Sequence, residues 1–487
     1  MNPIGWTEVL PGDSIQHSTS ALIRVSPLLT PVMHKMDIRI HHWFVPFRLI
    51  WEDWEDFITG GPDGMDASVA PYITTPATPG FPVGSLADLL GVTPGDVTTP
   101  GAVSMRVSAL PFRAYQLIWN EWYRDQDLEN PTGISLASGS DTSTSTFLKR
   151  VCWQKDYFTT ARPWAQKGPT VSIPMEGSAD VVSNNSSIDI KDASTQTNRQ
   201  LRMLTTGGMA YNGSAVGAND NTFFGNNTGL EADLGSITDP ATINQLRIAF
   251  ALQRYEEARA RYGSRYVEYL RYIGVRSSDA RLQRPEYLGG GKNVVQFSEV
   301  LQTSPNADGG TSEDEGVGTM RGHGIAAMRS NRYRRFFEEH GIVMTMMSAV
   351  PQAIYQDGMS RSWFRTTKTD YFQKELQYVG QQEVYRREYM GNHPQPAGIA
   401  GYQDRYSEYR QGFGRVSGDF RTTLKEWHMA RIFDPLNPPD EIDSAFVECV
   451  PTDRVYAVPT EDVLWVKANH SIQARRIVAP AGSSFVL

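Results

Sequence analysis

The sequence predicts a mainly β protein, a sandwich whose connections outweigh its strands. Three observations carry this reading. Aromatic residues are abundant (11 Trp, 21 Tyr, 20 Phe), Gly (42) and Pro (29) are scattered throughout, and strand-like runs recur from residue 30 to the C-terminus. Aromatic and β-branched residues fit a pleated, half-buried surface, while Gly and Pro supply turns. The runs do not alternate regularly with helices, so βαβ units are not indicated. At 487 residues, length alone suggests two to four domains, and a single sandwich domain, 1–487, with long insertions is the reading that the spread of strand signals favours.

The stretch "MDIRIHHWFVPFRLIWEDWEDF", residues 36–57, shows the logic. Met36, Ile38 and Ile40 alternate with Asp37, Arg39 and His41, as the two faces of a strand do. Trp43, Phe44 and Val45 are all apolar, so the strand is buried on both faces there. Pro46 marks an edge or an exit. Ile50, Trp51, Trp54 and Phe57 then recur at helical spacing, predicting a short amphipathic helix stopped by Gly60-Gly61.

Residues 62–104, rich in Pro, Gly and Thr, predict a surface loop. In "LPFRAYQLIWNEWYRDQDL", Pro111 suits a first helical turn. Phe112, Tyr115, Trp119 and Trp122 then form one aromatic stripe, which at this spacing reads as core rather than as a ligand platform. Residues 177–240 are rich in Ser, Asn, Gly and Thr and carry too few large apolar groups to close a core, which predicts a projecting insertion. "ATINQLRIAFALQRYEEARARYG" follows as a helix with Ile243, Leu246 and Phe250 on one face. Residues 303–324 read as a Gly- and acid-rich loop, and "GIVMTMMSAV" (341–350) as a buried strand. Further strands are expected in "VYAVP" and "VLWVKANHSIQARRIVAP".

Charge narrows the function. The formal net charge is −8, whereas a chain that holds nucleic acid unaided carries a visible basic excess. Any such contact must be local or helped by a basic partner. Cys152 and Cys449 are too few for a disulfide framework and read as buried thiols. No signal peptide and no run of about 18 apolar residues is apparent, so membrane insertion is not expected and a reducing compartment is.

The chemistry-bearing residues are weighed singly. His41 and His42 are adjacent on a strand and point to opposite faces, so they cannot share a metal, and neither HExxH nor CxxC occurs. His42 reads as a buried, hydrogen-bonded histidine. Glu52-Asp53 and Glu55-Asp56, beside Trp51 and Trp54, keep a carbohydrate-active sandwich as the alternative, although a solvated helix face explains the carboxylates as well. "RSNRYRRFFEEHG" is the most basic cluster. Arg332, Tyr333, Arg334 and Arg335 there suit either single-stranded nucleic acid or a subunit contact. "EYLGGGKN" lacks the spacing of a phosphate loop, and "NADGG" and "SEDEG" lack the order of a calcium loop. No catalytic set, metal site or cofactor is expected.

Several longer strings add up to a resemblance. "HHWFVPFRLIWEDWEDFITGG", "LPFRAYQLIWNEWYRDQDL", "KDYFTTARPWAQKGP", "SSDARLQRPEYLGGG", "EEHGIVMTMMSAV" and "GYQDRYSEYRQGFGRVSGDFR" resemble the major capsid protein of the Microviridae, in particular its gokushovirus-like branch. The matching strings run in order from about residue 32 to 432, and "TLKEWHMARIF" and "DRVYAV" extend the likeness. It weakens at 62–104 and 177–240. The resemblance implies a structural protein with an eight-stranded viral jelly roll, a few short helices and large insertions. Self-assembly would close about 60 copies, through pentamers, into a T=1 icosahedral shell.

The resemblance also implies partners: a circular single-stranded DNA genome, a small basic DNA-binding protein, a scaffolding or internal protein, a DNA pilot protein and a host receptor. Location would be the virion, after assembly in the bacterial cytoplasm. It places 36–45 as the first jelly-roll strand, and Trp43, Phe44, Trp51, Trp54, Phe57, Trp119 and Trp122 as core or assembly aromatics. It makes 177–240 a hypervariable protrusion at the threefold axes, with Asn212, Asn219, Phe223 and Phe224 facing a receptor.

Overall fold

The computed structural model describes residues 1–76, 80–95, 105–172, 243–263, 265–303 and 317–478, with seven short strands inside 173–242. The sandwich is built from β1 (Asn2–Val9), β2 (Ser14–Val25), β3 (Met36–Pro46), β4 (Glu286–Val294), β5 (Gln296–Leu301), β6 (Met320–Arg329), β7 (Tyr333–Phe336), β8 (Gly341–Pro351) and β9 (Leu464–Arg475). One antiparallel sheet has the order β1-β8-β3-β4. In the other, β2 is flanked by β9 on one side and by β6 and β7 on the opposite side, with β5 outside β6.

β6 and β7 act as one interrupted strand, since Ile325–Arg329 pairs with Arg24–Ser20 and Tyr333–Phe336 with His17–Ser14. Ser330 staples the break: its N–H donates to Thr19 O and its Oγ accepts from Thr19 N, both at 2.8 Å. Counted this way, the sandwich has eight strands in two four-stranded sheets, as the jelly-roll reading requires.

β3 shows how sequence sets the layers. Met36, Ile38 and Ile40 pack with Ala21, Ile23, Val25, Ala326 and Met328 of the facing sheet. Trp43 and Val45 point the other way, into a second core formed with helix α2 (Leu110–Ile118), where Phe112, Tyr115 and Ile118 are buried. The loss of alternation after Ile40 therefore marks a sheet covered on both faces. Each such fully buried large apolar side chain contributes about 1.5–3 kcal/mol. β8 is buried almost throughout, as the run 341–350 predicts. A third core gathers Trp153, Tyr157, Phe158, Tyr355, Tyr389 and Phe446.

Four expectations need correction. Residues 36–45 form the third strand, not the first, because β1 and β2 precede them. The first half of β2 escapes a hydrophobicity reading because His17, Ser18 and Thr19 are polar yet buried. The predicted helix around Trp51 starts later, as α1 (Trp54–Thr59), and it ends as expected on Gly60 at φ 88°, a left-handed conformation that glycine adopts without penalty. The stretch 62–104 is not merely a surface loop. Tyr72–Thr74 pairs with Arg106–Ser108, and Ile73, Phe81, Leu86, Ala87 and Leu90 enter the core against α2. "VYAVP" forms no strand, although Val455 and Tyr456 are buried beside Leu28.

Gly168–Glu256 forms a compact unit of its own, and Met1–Lys167 with Glu257–Leu487 forms the other. Its strands are Ser214–Ala215, Met209–Tyr211, Asn198–Met203, Asp189–Asp192 and Thr222–Phe224 in one antiparallel sheet, with Leu230–Asp233 and Asp180–Ser183 in another ladder. Helix α3 (Ile243–Tyr262) follows, but Ile243 and Phe250 of its predicted apolar face are exposed.

Candidate assembly and genome-contact surfaces

Most of the predicted aromatics are used inside the subunit. Trp43 and Phe44 are buried, Trp43 donating its indole N–H to Tyr123 Oη (3.2 Å) and lying 4.6 Å from the Trp122 ring. Phe44 meets Phe337 at 4.8 Å. Trp51 is buried and donates to Ser138 Oγ (2.8 Å), while Trp119 donates to Arg150 O (2.8 Å) and Trp122 to Pro285 O (3.0 Å). A π-helical turn over Trp119–Tyr123 ends α2 and turns these rings inward. Trp54 is half-buried against Phe47 and His340, and Phe57 is partly exposed against Trp51.

The histidines are structural in geometry. His42 is fully buried between the sheets, with Nδ1 at 3.0 Å from Thr345 Oγ1 and Nε2 at 2.9 Å from Ser330 Oγ. His17 touches Tyr333 Oη (3.1 Å) and His470 Nδ1 (3.2 Å), and His470 reaches Ile4 O (2.9 Å). Burial, and then the neighbouring histidines, push His42 down to about 3 and His17 down to about 4. His41 faces the other layer and meets Tyr123 Oη at 2.7 Å. Among the described residues, no three His, Cys, Asp or Glu side chains converge as metal ligands. Cys152 and Cys449 are both free, and burial pushes each thiol up to about 12.

The basic cluster is split by the strand it forms. Arg332, Arg334 and Arg335 are exposed, with Arg335 paired to Glu286 at 2.6 Å. Tyr333 and Phe337 point into the sandwich instead, so neither ring is free to stack on a base. Phe336 remains exposed. "EYLGGGKN" is strand β4. A side chain at Gly290 would meet Ile40 O at 2.2 Å, so this glycine serves the close approach of β4 to β3 rather than a phosphate. Asn212 and Asn219 lie outside the described residues, as do 304–316 with their acidic strings. Phe223 and Phe224 sit on a strand paired to Lys191 and Ile190.

What sequence reading missed is the set of large side chains left outside every core. Trp363 and Tyr378 are 73% and 84% exposed, and Tyr371, Phe372 and Tyr409 are about half exposed, with Arg365 stacked on Tyr409 at 4.4 Å. A second group, between Tyr262 and Val275, interleaves Arg with Tyr. The sequence signal is the interleaving itself, in "RYVEYLRYIGVR" at 265–276, where tyrosines recur every three residues.

A two-sheet antiparallel sandwich with insertions longer than its strands, still presenting large aromatics to solvent, is consistent with the class of viral coat subunits. Comparison with known proteins agrees, and the chain belongs to the phage family described as "Capsid protein (F protein)", which matches residues 1–483. It is similar to the capsid protein VP1 of Bdellovibrio phage phiMH2K, 35% identical over 95% of this chain and 87% of that one. The VP1 proteins of Chlamydia phage 1 and Spiroplasma virus 4 are each 31% identical, covering 94% and 88% of this chain and 88% and 81% of their own.

Proposed function

We propose that this capsid protein closes into a T=1 icosahedral shell of about 60 copies around a circular single-stranded DNA genome. The observation that supports this most is the division of its aromatics between two uses. Trp43, Trp51 and Trp119 complete the subunit, while Trp363, Tyr371, Phe372 and Tyr378 remain for neighbours. Because the chain is net negative, the enclosed polyanion requires a cationic intermediary. A small basic DNA-binding protein fills that role, helped by Arg332 and Arg334, with a scaffolding or internal protein and a DNA pilot protein as further partners. The virion is the working location, reached after assembly in the host cytoplasm. The carbohydrate-active alternative loses one of its two stacking rings, since Trp51 is buried, and Trp54 is half-buried against Phe47 and His340.

Particles purified from infected or co-expressing cells are expected to protect single-stranded DNA from nuclease. Intact shells without protected DNA would remove genome enclosure from the account. Residues 177–240 are proposed as the host-attachment loop. Exchanging them for the corresponding segment of a relative is expected to shift adsorption to the relative's host while particle yield is kept. Unchanged adsorption would refute the attachment role.

A further inference from the structure

We infer that helix α4 (Tyr266–Tyr272) and the open groove beside it form a docking surface for a second copy of this chain. α4 has seven residues and none of them is buried. A helix this short is not stable in water by itself and is normally held by packing an apolar face. Yet Tyr266, Tyr269 and Tyr272 are 65%, 46% and 47% exposed, and Tyr262, Ile273 and Val275 are about half exposed. What fixes α4 is polar: the Glu268 carboxylate accepts from the Arg265 N–H (3.1 Å), and the Arg265 guanidinium donates to the carbonyls of Asn120 and Glu121. A groove of about 820 Å³ runs beside the helix, lined by Val267, Leu270 and Val275 and by Trp122 and Tyr287.

Area and charge indicate the occupant. Six half-exposed side chains of this size present about 600 Å² of mainly apolar surface. A standard interface takes about 800 Å² from each partner, a little over half of it apolar. The patch is therefore at the upper end of what a monomer exposes, a size that is often functional, and fits one face of a stable contact. From Arg261 to Leu282 the chain carries five arginines against two carboxylates. Arg261 is paired with Asp404 and Arg265 is held by the Asn120 and Glu121 carbonyls, which leaves Arg271, Arg276 and Arg281 exposed on a protein whose net charge is −8. The complementary surface is thus an acidic region elsewhere on the same kind of subunit, and the contact is heterologous, the type that closes into rings. Arg and Tyr are also the residues that dominate binding energy at interface centres.

This inference rests on the shell reading, and the test separates the two. A photo-crosslinking phenylalanine analogue is placed at Tyr269 in the full chain, and Tyr266→Ser/Tyr269→Ser/Tyr272→Ser is made in parallel. Because α4 contributes nothing to the cores, the triple variant is expected to keep the denaturation midpoint of the wild-type subunit. Its assembly is expected to need about tenfold more protein or more, a change of about 1.4 kcal/mol, and position 269 to crosslink to a second copy. Closed wild-type particles with no crosslink at 269 and unchanged assembly of the triple variant would overturn the docking surface and leave the shell intact. A crosslinked pair without closed particles would keep the contact and remove the shell. Crosslinking of position 269 to an oligodeoxynucleotide in place of a second copy would overturn the inference in favour of a nucleic-acid surface.

Discussion

Arg113→Ala is expected to destabilise the subunit by about 3–5 kcal/mol, the cost of leaving one member of a buried ion pair without its partner. Arg113 and Asp141 both have no exposed side-chain surface and meet at 2.8 Å. The remaining guanidinium nitrogens donate to Ile50 O and Ala137 O, both at 2.9 Å. Burial alone would raise the Asp141 carboxyl. Hydrogen bonds from Thr144 and the Arg113 contact outweigh it and hold the group below the usual range, so the carboxylate stays charged. Removing Arg113 strands that charge and frees two carbonyls. Urea denaturation at neutral pH, followed by tryptophan fluorescence, checks the size of the loss. Arg113→Met combined with Asp141→Leu is expected to be milder than Arg113→Ala, because no buried charge is left over. A loss below about 1 kcal/mol for Arg113→Ala, the scale of an exposed pair, would show that the pair is not sealed.

Acid is expected to loosen the sandwich well before most carboxylates titrate. His42 and His17 ionise near 6.5 in an unfolded chain, but burial holds them near 3 and 4 in the fold. Between those values the unfolded state binds more protons, so stability rises with pH. The contribution is fully present above about 6.5 and is lost as pH falls through the folded values. Their hydrogen-bond partners are Thr19, Ser330, Tyr333, Thr345 and His470, with no carboxylate to hold a proton in place. Thermal denaturation of the subunit is expected to fall steadily from pH 6.5 towards pH 4. His42→Ala is expected to lower stability at pH 7.5 by about 1–3 kcal/mol through the orphaned Ser330 and Thr345 hydroxyls, to flatten this slope, to reduce soluble assembly and to leave metal content unchanged. A variant that keeps the wild-type slope would place the pH dependence elsewhere.

The same two features show what a sequence can and cannot reveal. β3 and β8 were legible because their apolar residues have nowhere to go but a core, and α2 because its aromatics recur at helical spacing. Only the second half of β2 carries a readable period, with Ala21, Ile23 and Val25 alternating into the core. Its first half hides His17, Ser18 and Thr19, polar yet buried, and partners of His17 and Thr19 lie some 300 to 450 residues away in the chain. Arg113 looks like a solvent-face residue of α2 until the segment around Ala137–Asp141 closes over it. The lone apolar residues of 62–104 carry no period, so their core role appears only in three dimensions. For the contact surfaces the obstacle is different. Composition gives the number of aromatics but not their division between core and exterior, so nothing in the sequence distinguishes Tyr333, which is buried, from Tyr269, which is exposed.

The central claim is that this subunit is made to close with its own copies. Negative-stain electron microscopy of the expressed chain, with and without its co-expressed phage partners, together with size-exclusion light scattering, tests it most directly. The account predicts closed isometric particles, or regular pentamer-sized intermediates that close when the partners are present. A uniform monomer under both conditions would contradict it.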